Sequence, residues 1–130
     1  MSVKFTRVCY NDLNRRQKEN FNFQKVASCF AEYGFNCLKL SDDWQGADFI
    51  ACHINGNDFL KIQLKGRLTF EQKYRDKNIY IAFLDGNDCF VYPHDIVWEI
   101  IQDKRKHKFQ DRSWPTVPKW ARAILADYKL

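Results

Sequence analysis

Trp44-Gln45-Gly46-Ala47-Asp48-Phe49-Ile50-Ala51-Cys52-His53-Ile54, then Asn55-Gly56-Asn57-Asp58, then Phe59-Leu60-Lys61-Ile62-Gln63-Leu64-Lys65-Gly66-Arg67, is the segment around which the rest of this chain arranges itself. Two β-rich runs flank an Asn-Gly/Gly-Asn turn, the composition of a tight β-hairpin. With Gly56-Asn57 as the two-residue loop, Asp48 falls opposite Lys65; with Asn55-Gly56 as the loop, it falls opposite Gln63. Both registers keep Asp48, Gln63 and Lys65 on one face, because side chains alternate along a strand and any even-length loop preserves parity. The other face carries Phe49, Ala51 and His53 on one strand and Leu60, Ile62 and Leu64 on the next, an apolar surface suited to a covering helix. A carboxylate, an amide oxygen and an ammonium are thereby gathered at one end of the hairpin, a set that suits a divalent cation and a phosphate. The plainer alternative is a surface ion pair between Asp48 and Lys65.

Upstream, residues 13–33 read as a helix, with Asn11 or Asp12 able to cap it and Gly34 able to stop it. Its apolar stripe is Phe23, Val26, Ala27, Phe30 and Tyr33, and one further turn back along that stripe reaches Glu19. A carboxylate on the core side of a helix is costly without a partner. Glu19 is therefore expected to lean over the sheet toward Asp48 and Lys65, unless Asn20-Phe21-Asn22 interrupts the helix and leaves it solvated. Residues 35–40 read as a strand. Downstream, the polar stretch 69–77 reads as a short helix or loop, and 78–84 is a continuous apolar run of the kind found in buried central strands. Asp85-Gly86-Asn87-Asp88 turns the chain into a further strand, 89–92. A short helix over 96–102, the basic run Lys104-Arg105-Lys106-His107-Lys108, and an amphipathic helix starting near Pro118 complete it. The expected architecture is a single α/β domain spanning 1–130, with a central mixed β-sheet of about five strands flanked by helices.

Length and composition agree. At 130 residues the chain suits one domain, and 45% hydrophobic with 16% aromatic residues exclude a disordered polymer. No apolar run reaches the length of a membrane span, and Met1-Ser2-Val3-Lys4-Phe5-Thr6-Arg7 lacks a secretory apolar core, which points to the cytoplasm. Five scattered cysteines without a Cys-x-x-Cys pair argue against a disulfide framework and a structural zinc site. A net charge of +5 favours polyanionic partners. His53 and His94 lack metal-ligand spacing, and neither a Ser/His/Asp arrangement nor a phosphate-binding glycine loop is present.

The element order, with Glu19 on the first helix, Asp48 on a strand and Gln63-Leu64-Lys65 on the paired strand, resembles the PD-(D/E)XK nuclease superfamily. The likeness is to the branch of archaeal Holliday junction resolvases and Mrr-type restriction nucleases. It covers residues 13–92 and is carried by Glu32-Tyr33-Gly34-Phe35, Gly46-Ala47-Asp48-Phe49-Ile50-Ala51 and Ile62-Gln63-Leu64-Lys65-Gly66-Arg67. It implies a restriction-endonuclease-like fold and metal-dependent hydrolysis of phosphodiester bonds in DNA, rather than RNA, by a homodimer.

The catalytic set implied is Asp48, Gln63, Lys65 and Glu19. Mg2+ or Mn2+ would be held by Asp48, the Gln63 amide oxygen and the Leu64 carbonyl, with Glu19 as an outer or second-metal ligand. Lys65 would stabilise charge beside the attacking water and the scissile phosphate. Ala47 stands where such proteins often have proline, and Gln63 where many have an acid. The latter removes a negative charge, weakens metal binding and opens the alternative of a catalytically inactive nucleic-acid-binding or adaptor domain. A protein-interaction module is a third reading. Arg67 resembles the basic residue that follows the motif in resolvase-like members, and with Lys61, Lys73 and Arg75 is a candidate for phosphate-backbone contact. Lys104, Arg105 and Lys106 are further candidates, although such a run also suits a solvated loop. Trp44, Tyr74 and Trp114 suit either base stacking or the core.

Overall fold

The hairpin forms in the second of its two registers in the computed structural model, which describes residues 2–105 and 110–130. Strand β2 (Ala47–His53) pairs antiparallel with β3 (Phe59–Leu64), setting Phe49 opposite Ile62 and Ala51 opposite Leu60. One step further along the same register sets Asp48 against Gln63. The connecting loop is wider than two residues, because the Asn55 side chain organises it: its Oδ1 accepts from the backbone N–H groups of Asn57 and Asp58 at 2.8 and 3.1 Å.

Helix α1 (Arg15–Ala31) covers the apolar face of this hairpin. Its cap is Asn14, not Asn11 or Asp12. Asn14 Oδ1 accepts from Gln17 N–H and Gln17 Oε1 accepts from Asn14 N–H, each at 2.9 Å, a reciprocal pair that satisfies two orphan donors of the first turn. Gly34 stops the helix at φ +82°, where a side chain would be strained and its Cβ would crowd His53 Nε2 at 3.1 Å. Val26 and Phe30 of the expected stripe are buried, whereas Tyr33 is exposed. Phe23 and Phe30 both meet the fully buried Phe49 ring edge-on, at centroid distances of 5.0 and 6.2 Å.

Strand β1 runs from Phe35 to Trp44, beyond the expected end at Leu40, and joins β2 through Gln45 and Gly46, both at positive φ (53° and 85°). Positive φ at both loop residues matches the right-handed twist of paired strands. The pairing of β1 with β2 is regular from Phe35 to Lys39. Beyond it, β1 advances five residues, Lys39 to Trp44, while β2 retreats two, Phe49 to Ala47. Leu40, Ser41, Asp42 and Asp43 are thus bunched opposite Asp48.

After β3 the chain makes β4 (Leu68–Phe70), β5 (Ile79–Asp85), β6 (Asp88–Pro93), α2 (His94–Arg105), β7 (Arg112–Trp114) and α3 (Lys119–Leu125). The central sheet has five strands in the order β1-β2-β3-β5-β6, antiparallel except for the parallel β3–β5 pair. This is the expected mixed α/β sheet. The stretch 69–77, expected as a short helix or loop, holds a short helical turn at Gln72–Tyr74 but opens on a strand: β4 pairs with β7 in a separate ribbon, and Leu68, Thr69 and Phe70 are all buried. Polar neighbours hid it, since only three residues are extended and their partner lies more than forty positions downstream. Helices α2 and α3 contribute Val97, Trp98, Ile101, Ala121 and Leu125 to a core on the sheet face opposite α1. No helix among the described residues is long and apolar enough to cross a membrane.

Replacing Phe49 with alanine deletes the ring that joins α1 to the hairpin. It is expected to cost about 3–5 kcal/mol, read as a lower urea midpoint with an unchanged slope. An unshifted midpoint would show that α1 is held some other way.

Candidate metal and phosphate cleft

Asp48 lies near the start of β2, Gln63 and Leu64 end β3 and Lys65 directly follows, so antiparallel pairing brings the four to one edge of the sheet. There they line a cleft of about 710 Å³, together with Glu19, Asp43 and Arg67. The cleft lies at the carboxyl end of β3, where the sheet changes from antiparallel to parallel pairing. Strands leave such a change of direction open at their ends, and ligand sites form there.

Asp48 is half-buried, and its Oδ2 accepts from the Leu64 backbone N–H at 2.8 Å. Burial raises its pKa above the ordinary aspartate value. The Leu64 bond opposes that rise, the like charge of Asp43 adds to it, Lys65 opposes it and Glu19 adds to it; the net shift is upward. Asp48 is a carboxylate whose surroundings make its charge expensive, and a bound cation would relieve that cost. Gln63 is 8% exposed, and its Oε1 is buried with no hydrogen-bond partner among the described residues. Its Nε2 makes only a long contact, 3.4 Å, to the Leu64 carbonyl. An orphaned buried amide oxygen beside a half-buried carboxylate fits a hard cation, for which both are suitable ligands. Among the described residues, no three His, Cys, Asp or Glu side chains converge closely enough to hold a metal by themselves. A cation here therefore needs the neutral oxygens of Gln63 and Leu64 and its own water.

Lys65 pairs with Glu71 (3.1 Å), not with Asp48, and lies 5.2 Å above the Tyr74 ring. Burial alone would depress its pKa, but the Tyr74 hydroxyl and Glu71 outweigh that, and the net shift is upward. Lys65 stays protonated at neutral pH. It is therefore suited to stabilising anionic charge and not to acting as a base. Glu71, which also receives Lys73 at 3.3 Å, is held from below. Its backbone N–H donates to Nε2 of the buried His94 at 3.0 Å, and His94 Nδ1 meets Asp95 Oδ1 at 2.8 Å. A nitrogen that accepts cannot carry a proton, so His94 is the neutral tautomer with its hydrogen on Nδ1. Burial, its largest influence, keeps the His94 pKa low against the opposing pull of Asp95.

The remaining expected residues are dispersed. Glu19 sits exposed at the cleft rim, paired with Arg15 at 3.6 Å, and not over the core as its position in the stripe suggested. Arg67 lines the cleft. Lys61 donates to the Lys77 carbonyl, and Arg75 stacks over Trp98 at 5.6 Å beside Glu99. Lys104 and Arg105 fall in the last turn of α2, and Lys106 lies outside the described residues. Tyr74 and Trp114 pack in or against the core, whereas Trp44 is exposed.

Sequence reasoning missed Asp43, Arg15 and Lys39, all lining the cleft, and the support of Glu71 by His94. Asp43 carried a signal: it precedes a Trp-Gln-Gly turn leading straight into the Asp48 strand. Lys39, fixed by Asn20 Oδ1 at 2.8 Å, and the Glu71–His94 contact carried none, because each joins residues far apart in sequence.

No family model and no curated relative matches the sequence. Among solved structures, the chain is similar to a bacterial homing endonuclease, I-Ssp6803I, with a TM-score of 0.51 and 14% sequence identity, over 82% of this chain and 78% of that one. At that identity the likeness is one of fold.

Two outcomes follow from the Lys65–Glu71–His94 chain. Glu71→Gln is expected to lower the Lys65 side-chain pKa, read by NMR titration of its Nζ; an unmoved titration would mean the pair does not govern Lys65. His94 is neutral when folded, and its depressed pKa makes the unfolded chain take up that proton first as pH falls. Its contribution to stability is complete above about 6.5 and declines as pH drops below that toward the folded value. Urea midpoints should show this slope in the wild type and a flatter one in His94→Gln.

Proposed function

We propose that this chain is a metal-dependent nuclease of the PD-(D/E)XK superfamily, in its resolvase- and Mrr-like branch, hydrolysing phosphodiester bonds in DNA with Mg2+ or Mn2+. The observation that carries the reading is the buried Gln63 Oε1, unpartnered among the described residues, beside Asp48 at a strand-end cleft. The likeness of fold to a homing endonuclease supports it, as does the +5 net charge.

Asp48, the Gln63 oxygen and the Leu64 carbonyl would hold the cation, with Glu19 at the rim. Bound there, a divalent ion lowers the pKa of a coordinated water and offsets charge on the phosphate. Lys65, protonated and oriented by Glu71, donates to a phosphate oxygen as negative charge grows on it. Leu64 N–H orients the Asp48 carboxylate through its 2.8 Å bond. Arg67, Arg15 and Lys39 at the cleft give the flanking backbone cationic contacts whose strength falls with salt. Action as a homodimer in the cytoplasm, one copy to each strand, belongs to the same reading.

A second reading is favoured by Gln63 itself and by the absence, among the described residues, of a cluster of three metal-ligating side chains. It is a DNA-binding domain that retains the cleft without cleavage. Labelled duplex, branched-junction and single-stranded DNA, incubated with the protein in Mg2+ or Mn2+, separate the two. The nuclease reading expects cleavage that Asp48→Ala abolishes and Lys65→Ala slows about 10²- to 10³-fold. Salt-sensitive binding without cleavage in either metal would instead establish the second.

A further inference from the structure

With Gln63 neutral, Asp48 is the one carboxylate that the hairpin itself brings to the cleft, and a lone carboxylate is a weak site for a doubly charged ion. The strand next door alters that balance. We propose that Asp43 supplies the second negative charge of this site, acting on the cation through its coordinated water. The inference rests on the metal-binding reading above and adds a residue to it.

The irregular pairing of β1 with β2 is the geometric basis. Residues 40–43 are compressed opposite Asp48, which places Asp43 in the same cleft as Asp48 and Gln63. Bulged strands re-aim side chains in this way beside functional sites. Asp43 is also held: its Oδ1 accepts from Gly46 N–H at 2.9 Å across the Gln45-Gly46 turn. Among the described residues it has no ion-pair partner, whereas Glu19 is paired with Arg15 and Glu71 with Lys65 and Lys73.

A group of carboxylates alone would be an ordinary solvated rim. The independent pointer to a cation is Gln63 Oε1, buried in the same cleft and unpartnered among the described residues. No three acidic, histidine or cysteine side chains converge there among the described residues, and a contact through coordinated water lets Asp43 act on the cation without joining such a cluster. Magnesium and manganese retain several waters when protein-bound, and groups bonded to those waters tune affinity.

The test is Mn2+ binding to the full chain, without DNA, by calorimetry or by loss of the free Mn2+ electron paramagnetic resonance signal. Asp43→Asn keeps an acceptor for Gly46 N–H and removes the charge, and is expected to weaken binding roughly tenfold. Adding Gln63→Glu to Asp43→Asn should return the affinity to at least the wild-type value, a rescue that a folding defect could not give. Asp42→Asn, which removes the adjacent charge, should weaken binding much less. Should Asp43→Asn bind as wild type while Asp48→Asn does not bind, or Asp42→Asn lose as much as Asp43→Asn, the role of Asp43 is overturned and the cleft remains a metal site. Should the wild type fail to bind Mn2+, or Asp48→Asn bind equally well, the metal reading itself falls, and the inference with it.

Discussion

The register that sets Phe49 against Ile62 governs both faces of the hairpin, and through them the helix, the cleft and the sheet edge. Strand side chains alternate, so a slip of one residue would turn Phe49 and Ile62 to the wrong side and bury Asp48 and Gln63 beneath α1. The Phe49 ring, fully buried between Phe23 and Phe30, makes that slip prohibitive. Packing on one face of the hairpin thereby fixes polar chemistry on the other. The covering helix has its own local determinants, the Asn14–Gln17 cap and the Gly34 stop, so secondary and tertiary preferences agree.

Charge in the cleft is unevenly satisfied, and the imbalance gives the site its character. Lys65, the cation nearest the strand ends, is already engaged by Glu71, and Arg15 by Glu19. Among the described residues Asp48 and Asp43 have no such partner, and burial makes the Asp48 charge costly. A site arranged like this is poorly suited to a bare phosphate, because unpaired carboxylates repel it. Under the metal-dependent reading proposed above, a divalent cation lying between would make it receptive. The same logic divides the cations into two groups. Lys65, Arg67, Lys39 and Arg15 border the cleft, whereas Lys61 and Arg75 are engaged by a backbone carbonyl and by the Trp98–Glu99 surface.

Support for the site comes from the opposite side of the sheet. His94 opens α2 and packs among Phe70, Tyr74 and Trp98, within the core of the face away from α1. Its Nε2 nonetheless holds the Glu71 backbone, and Glu71 holds Lys65. The ribbon of β4 and β7 belongs to this support, since it fixes the segment from Leu68 to Phe70 that delivers Glu71. Its brevity and its distant pairing explain why a local reading counted Thr69 and Phe70 as part of a short helix or loop.

Four features were legible in the chain of residues alone: the hairpin, the helix that covers it, the apolar central strand β5, and the common face of Asp48, Gln63 and Lys65. All of these follow from periodicity and turn chemistry within a few residues, which are local physics. Folding in three dimensions then chose between the two registers, placed Glu19 at the rim, turned Lys65 onto Glu71, and brought Asp43 into the cleft that Asp48 lines. Those outcomes depend on which distant groups reach a side chain first. Glu71 and His94 lie 23 residues apart, and the β1 irregularity exists only once two strands have paired. No period or spacing in a single chain records such competition, because it is resolved in space after the local elements have formed.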